Sequence, residues 1–341
     1  MGLIANPVIP DAQCTLQSCS LLQAHYQYLP SLAGNALYVG IFGLLLAFQI
    51  IFGWRARTWG FLGGMFGGLV LEVIGYIGRI QMHSNPFIDG PFLMSLVTLT
   101  IAPAFLSASI YLCLSRIVVV YGEDLSRFRP RTYTLTFITC DFISLVLQAA
   151  GGAIASGANT PSQTQMGINI MIAGLSFQVF SLALFMVLTA EFAWRVSRSP
   201  ARLNASFERL RETRIFTAFL GCLGLATLCI FIRSCFRVAE LSGGFHGALA
   251  NQQVTFMILE GAMIIVAVGA LTACHPLFAF QGRWADAGWS LRGNVVSGKV
   301  MSVESLGQGE LELGRVAGLS YERRSQIEDE EVRKSLRSQG T

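Results

Sequence analysis

The chain has 341 residues, 53% of them hydrophobic and only 13% charged, with a mean hydropathy of +0.55. So apolar a balance excludes an ordinary soluble domain and describes a polytopic membrane protein. The net charge of +4 points to no nucleic-acid partner, because the basic residues sit in short loops between apolar runs and in a tail where acids balance them.

Residues 1–31 contain no Lys or Arg and lack the basic start and apolar run of a cleavable signal peptide. The first apolar helix is therefore expected to direct insertion. Cys14 and Cys19 lie in this segment and are candidates for a local disulfide if it is extracytoplasmic. The other six cysteines fall within or at the edges of apolar runs and read as small buried hydrophobes.

Seven runs follow that are long enough, at about 20 residues, to cross a hydrocarbon core of roughly 30 Å. They lie near 33–53, 59–80, 92–115, 132–155, 167–190, 215–237 and 254–274. The expected fold is all-α, a seven-helix transmembrane domain over 32–280. Arginines mark its sides: Arg55 and Arg57 follow the first run, Arg116, Arg127, Arg129 and Arg131 the third, and six arginines from Arg195 to Arg214 the fifth. The alternate loops carry neither Lys nor Arg. The positive-inside rule thus predicts an extracytoplasmic N-terminal segment over 1–31 and a cytoplasmic C-terminus. It also puts the Asn204-Ala205-Ser206 sequon on the unglycosylated side. Residues 281–341 mix acids, bases, Gly and Ser with few large apolar groups and read as a disordered tail. Within it Gly293 to Lys299 is only superficially like a phosphate-binding loop, since Val300 stands where a metal-binding hydroxyl is needed and no strand precedes it.

Ionisable residues inside the runs are the candidate functional groups, because charge in hydrocarbon is costly and faces a bundle interior or wet cavity. In the second run Glu72, Tyr76 and Arg79 share one helix face, with about two turns, or roughly 10.5 Å, between the charges. Glu72 falls deep in the span and is the sharper candidate for a substrate contact; Arg79 falls near the outer interface, where its side chain has room to snorkel outward, and is the candidate structural partner of the pair. Gly63, Gly64, Gly67 and Gly68 in the same run permit close helix approach. Pro103 removes a backbone donor in the third run, frees a carbonyl and offers a hinge. Asp141, Ser144 and Gln148 form a second polar stripe in the fourth run, and Gln178 stands mid-way along the fifth. Arg233, Arg237 and Glu240 line the end of the sixth, and Glu260 lies about two turns into the seventh. Glu72, Asp141 and Glu260 offset Arg79, Arg233 and Arg237 in sign, which suits either a packing network or an amphipathic cavity whose carboxylates hold an ammonium.

These residues resemble the fungal lipid-translocating exporter family, seven-span proteins that include sphingoid long-chain base exporters and aminocholesterol-resistance proteins. The resemblance runs from about Tyr28 to Pro276. It rests on Tyr28-x-Pro30-Ser31 with Asn35, Glu72-x-x-Gly75-Tyr76-x-x-Arg79, Ala102-Pro103-Ala104-Phe105 with Tyr111, Asp141-x-x-Ser144-x-x-x-Gln148-x-x-Gly151-Gly152, Gly174-Leu175-x-x-Gln178, Arg233-Ser234-x-Phe236-Arg237-x-x-Glu240 and His275-Pro276. The seventh run departs from the pattern: Gln253, Met257 and Glu260 stand where the family usually has Glu, Tyr and Asp. The resemblance implies export of sphingoid-base-like lipids or toxic amphiphiles, with resistance as the outcome, and residence in the plasma membrane or, next, a vacuolar or endosomal membrane.

A transporter needs no enzyme and no cofactor, and its partners are membrane lipids or amphipathic small molecules. The competing class is a seven-span lipid sensor or receptor without net transport, which the topology permits. The usual receptor triplet is replaced by Ser115-Arg116-Ile117, and the seventh run has no Asn-Pro-x-x-Tyr. A metal-dependent membrane enzyme needs clustered ligands, whereas His25, His83, His246 and His275 are widely separated.

Overall fold

The structure, a computed structural model, describes residues 19, 21, 24, 26–158, 160–199, 203–243, 247, 249 and 251–288. Seven helices are long and apolar enough to cross a membrane: α1 (Leu32–Ala56), α2 (Trp59–Ser84), α3 (Asp89–Tyr121), α4 (Pro130–Ser156), α5 (Pro161–Arg198), α6 (Arg214–Ser242) and α7 (Gln253–Ala279). Residues such as Phe142, Phe180, Val187 and Val254 stand exposed on their outer faces, which suits hydrocarbon and not water. The chain is an integral, multi-pass membrane protein.

Local chemistry sets the helix ends. Ser31 accepts the Gly34 amide at the start of α1, α4 and α5 begin at prolines, and Thr160 caps α5. The helices form a ring in chain order, α2 along α3, α4 along α5, α6 along α7, closed by α1 against both α2 and α7. α3 is the most enclosed of the seven. Small residues let it approach α2: a Cβ on Gly64 would lie 2.8 Å from the Phe105 carbonyl, and one on Gly68 would lie 3.1 Å from that of Ala102. Gly63 meets nothing within 4 Å, so three of the four expected glycines serve this contact.

Two segments differ from expectation. α3 and α5 run to 33 and 38 residues, beyond the apolar stretches, because their ends are held by side chains rather than by burial in hydrocarbon. Arg127 and Arg195 meet Glu191 at 2.7 and 2.6 Å near the end of α5. Arg211 donates to Val120 O at 3.0 Å, and Asn204 Nδ2 to Val119 O at 3.2 Å, covering the last carbonyls of α3. The second difference is the start of the tail. Residues 281–288 belong to the fold: Phe280, Trp284 and Ala287 are buried, Arg116 donates to the Trp284 carbonyl and lies 4.2 Å from its ring, and Arg283 donates to Ser206 O at 2.9 Å. A buried tryptophan anchored by an arginine outweighs the polar composition around it. The remaining tail, with Gly293 to Lys299, lies outside the described residues.

Candidate functional site

α2 sets the frame. Glu72, Tyr76 and Arg79 share its inner face as their spacing predicts, and each is 1% exposed or less. Gly75 and Gly78 on the flank seat α3, where a Cβ would lie 2.6 Å from Leu99 and 2.9 Å from Pro91 O respectively. Glu72 is left facing α6 and α7, with Arg233, Arg237 and Glu260 as the charges that act on it. Neither oxygen of its carboxyl has a hydrogen-bond partner in the protein, nor does the Tyr76 hydroxyl. The Tyr76 ring stacks on Phe42 at 5.6 Å and meets Tyr38 edge-on at 5.0 Å.

α7 reaches this face through a change of winding. An α-helical turn at Gln253–Phe256 passes into a π-helix over Met257–Ala262, then returns to α-helix from Met263. The wide turn is supported from α1, where the Tyr38 hydroxyl donates to Met257 O at 2.8 Å. It also depends on Gly261, since a Cβ there would stand 2.3 Å from the Tyr38 ring and 2.5 Å from the Tyr76 hydroxyl. Short π segments of this kind recur at functional sites, and here the segment carries Glu260 inward.

Arg233 of α6 donates to Glu260 Oε1 and to Leu99 O of α3. The second acceptor exists because residue 103 is proline: its missing N–H is the one that would bond the carbonyl four residues earlier. α3 runs unbroken through Pro103. Arg237 donates to Glu240 Oε2 and, at 3.1 Å, to Thr100 Oγ1, with its Nε 4.0 Å from Glu260. The charges pair only in part as their signs in sequence suggested, Glu260 with Arg233 and Arg237. Glu240 and Glu260 serve Arg233 and Arg237, while Glu72, Asp141 and Arg79 make no ion pair among the described residues.

Arg79 does not snorkel. Tyr26 and Tyr28, from the segment before α1, and Phe256 of α7 enclose its guanidinium at 5.2, 6.0 and 3.9 Å. Its Nη2 donates to the Tyr28 hydroxyl at 2.5 Å, and Nε and Nη1 have no protein partner. Rings that offer their negative faces replace water as its surroundings. Burial pushes the Tyr26 phenol up to about 12 against the opposing pull of Arg79, so the ring stays neutral. The segment is pinned by Gln27 N to Asn251 Oδ1 at 2.8 Å and by His83 Nδ1 to Pro30 O at 2.7 Å. Cys19 is disulfide-bonded; Cys14 lies outside the described residues.

The α4 stripe also faces inward but meets other neighbours. Gln148 donates to Ser144 Oγ at 3.0 Å and to Gln178 Oε1 at 3.2 Å, an amide pair between α4 and α5. Asp141 lies beside the Tyr111 hydroxyl of α3, which is its side-chain neighbour across the helix pair. Two crevices between α3, α4 and α5 share Leu96 and Met171. One, of about 300 Å³, is lined by Asp89 and Thr164; the other, of about 50 Å³, reaches Gln148 and Thr100. A cavity of about 270 Å³ lies among α3, α5 and α6, lined by Leu114, Phe185, Phe192 and Leu223. Residue order carries no mark of these spaces, nor of Thr100 and Tyr38 as site groups. Among the described residues no three His, Cys, Asp or Glu side chains are grouped to hold a metal; His25 and His246 lie outside them. His275 is buried, and its Nδ1 accepts the Leu277 amide.

The sequence profile described as RTA1 like protein matches residues 65–283. The sphingoid long-chain base transporter RSB1 of Saccharomyces cerevisiae (strain Lalvin EC1118 / Prise de mousse) is 34% identical over 304 residues, covering 81% of this chain and 78% of that protein. Protoporphyrin uptake protein 1 of S. cerevisiae is 29% identical over 208 residues, 61% of this chain and 66% of its own. Protein RTM1 of the same species is 29% identical over 204 residues, 60% and 63% of the two chains. No solved structure matches.

Proposed function

The chain belongs to the RTA1-like family, and from that premise we propose that it is a membrane translocator exporting amphiphiles with a cationic, hydroxylated head and an apolar tail. Lipids of the sphingoid-base kind and toxic metabolites built the same way are its substrate class. The supporting observation is a concentration of buried polar atoms without protein partners: both oxygens of Glu72, the Tyr76 hydroxyl, Glu260 Oε2, Arg233 Nε and Arg237 Nε. Leaving one such atom unpaired costs about 1–3 kcal/mol, so six on adjoining residues favour a ligand over packing as the reason for the cluster.

An amino-alcohol head matches them. Its ammonium has three donors for Glu72 and Glu260 Oε2, and its hydroxyls can accept from the arginine Nε groups or pair with Tyr76. The tail follows the face of α3 from Leu96 to Thr100, where the crevices approach the hydroxyl that accepts from Arg237. Arg79 acts as a positioning residue for α2. The reading involves movement across the bilayer and no bond-making step, in keeping with relatives named for transport and uptake. The arginine-rich loops orient the N-terminal segment outward, and the plasma membrane is the first location to test.

Cells carrying the full chain with Glu72→Gln, at normal membrane abundance, are expected to lose export of an added sphingoid base and resistance to it. Unchanged export from that variant would remove Glu72 from the site.

A further inference from the structure

We propose that the Glu72 carboxyl gives up one proton for each cationic amphiphile it binds, making this chain a proton-coupled exchanger. The inference rests on the head-group reading above and adds the ion that travels the other way.

The argument is one of charge and partners. The charged groups that act on Glu72 are Arg233 and Arg237 on α6 and Glu260 on α7; Tyr76 lies a turn away on α2, with Tyr38 of α1 against its ring, and Thr100 of α3 accepts from Arg237. Each cation among them is already engaged, Arg233 by Glu260 and the Leu99 carbonyl, Arg237 by Glu240 and Thr100. Arg79, further along α2, is enclosed by three rings. The Tyr38 hydroxyl is spent on Met257 O. A carboxylate at 1% exposure, with no protein hydrogen bond and facing only cations already paired with other acids, is costly, so the closed site holds the neutral acid. An arriving ammonium needs the anion. The carboxyl O–H bond breaks, the proton leaves to water, and the carboxylate receives the ammonium, one positive charge entering as one departs.

The test reconstitutes the full chain in vesicles carrying a trapped pH dye and uses an N,N,N-trimethyl sphingoid base below its lytic concentration. Its fixed charge cannot carry a proton by itself. Amphiphile movement is expected to be matched by about one proton moving oppositely, and Glu72→Gln to abolish the proton signal. In case that variant fails to fold, the wild-type protein in detergent decides: binding of the same probe should tighten about tenfold per pH unit while one proton is released. Amphiphile movement without proton movement, or pH-independent binding, would overturn the exchange and leave the translocator standing. A protein that neither binds nor moves this probe or the primary-amine sphingoid base, whose ammonium keeps its N–H donors, would overturn both.

Discussion

The guanidinium of Arg233 occupies the carbonyl of Leu99, an acceptor that a regular helix would have spent on the amide of residue 103. Proline at that position thus does more than bend or weaken α3. It supplies a fixed oxygen deep in the bundle, and the same guanidinium carries Glu260 from the opposite side.

Pro103→Ala returns an N–H that competes for Leu99 O. Helix propensity alone predicts a gain of up to about 3 kcal/mol, whereas the competition predicts that the gain is largely cancelled through Arg233. A double-mutant cycle of Pro103→Ala with Arg233→Met, read by thermal unfolding in detergent, should show a coupling of about 0.5–3 kcal/mol. Additive effects would refute the link.

Arg233→Met alone leaves Glu260 buried without its main partner and is expected to cost about 3–5 kcal/mol. Adding Glu260→Leu should recover most of that loss, because an apolar pair replaces an ion pair at little net cost. Unfolding midpoints of the two variants check this, and a double variant no better than the single would contradict it.

Glu72 and Glu260 are expected to part company when each is changed to Gln. Glu72→Gln removes no protein hydrogen bond and should leave stability within about 1 kcal/mol, while export fails. Glu260→Gln strips Arg233 of its counter-charge and should cost about 3 kcal/mol or more. Equal loss of stability in both would mark Glu72 as a packing residue.

Arg79 is sealed by residues that precede the first span. Replacing Tyr26 and Tyr28 together by Ala should open it to an arginine-selective reagent such as phenylglyoxal, with the modified peptide identified by mass spectrometry. The unaltered protein is expected to be protected at 79, and modification there before the substitution would argue against the enclosure.

Gly63→Ala and Gly64→Ala form a matched pair on neighbouring positions. The first has free space and should be neutral or slightly stabilising, and the second meets Ser109 and the Phe105 carbonyl and should cost about 1–3 kcal/mol. Unfolding of the two variants side by side distinguishes them.

Spacing made the inward faces legible. Glu72, Asp141, Gln148, Gln178, Arg233, Arg237, Glu240 and Glu260 are all buried, because a polar residue within an apolar helix has only one affordable direction. Partner choice was not legible, since it depends on features that act across helices. The π segment rotates Glu260 relative to a regular helix, Pro103 offers an acceptor that carries no side-chain signature, and aromatic rings rather than acids receive Arg79. The packing of Trp284 was hidden for a related reason: segment composition averages over the one residue that anchors it.

The enclosure of Arg79 also bears on how the chain is made. Tyr26 and Tyr28 leave the ribosome before α2 does, so the first buried cation finds most of its surroundings already synthesised. Arg233 has no such provision, because Glu260 lies in the last span. Until α7 arrives, the sixth helix must wait with an uncompensated guanidinium, held by Leu99 alone. A chain interrupted between the two would present that charge to the insertion machinery and to membrane quality control, which makes the last helix the step that commits the bundle.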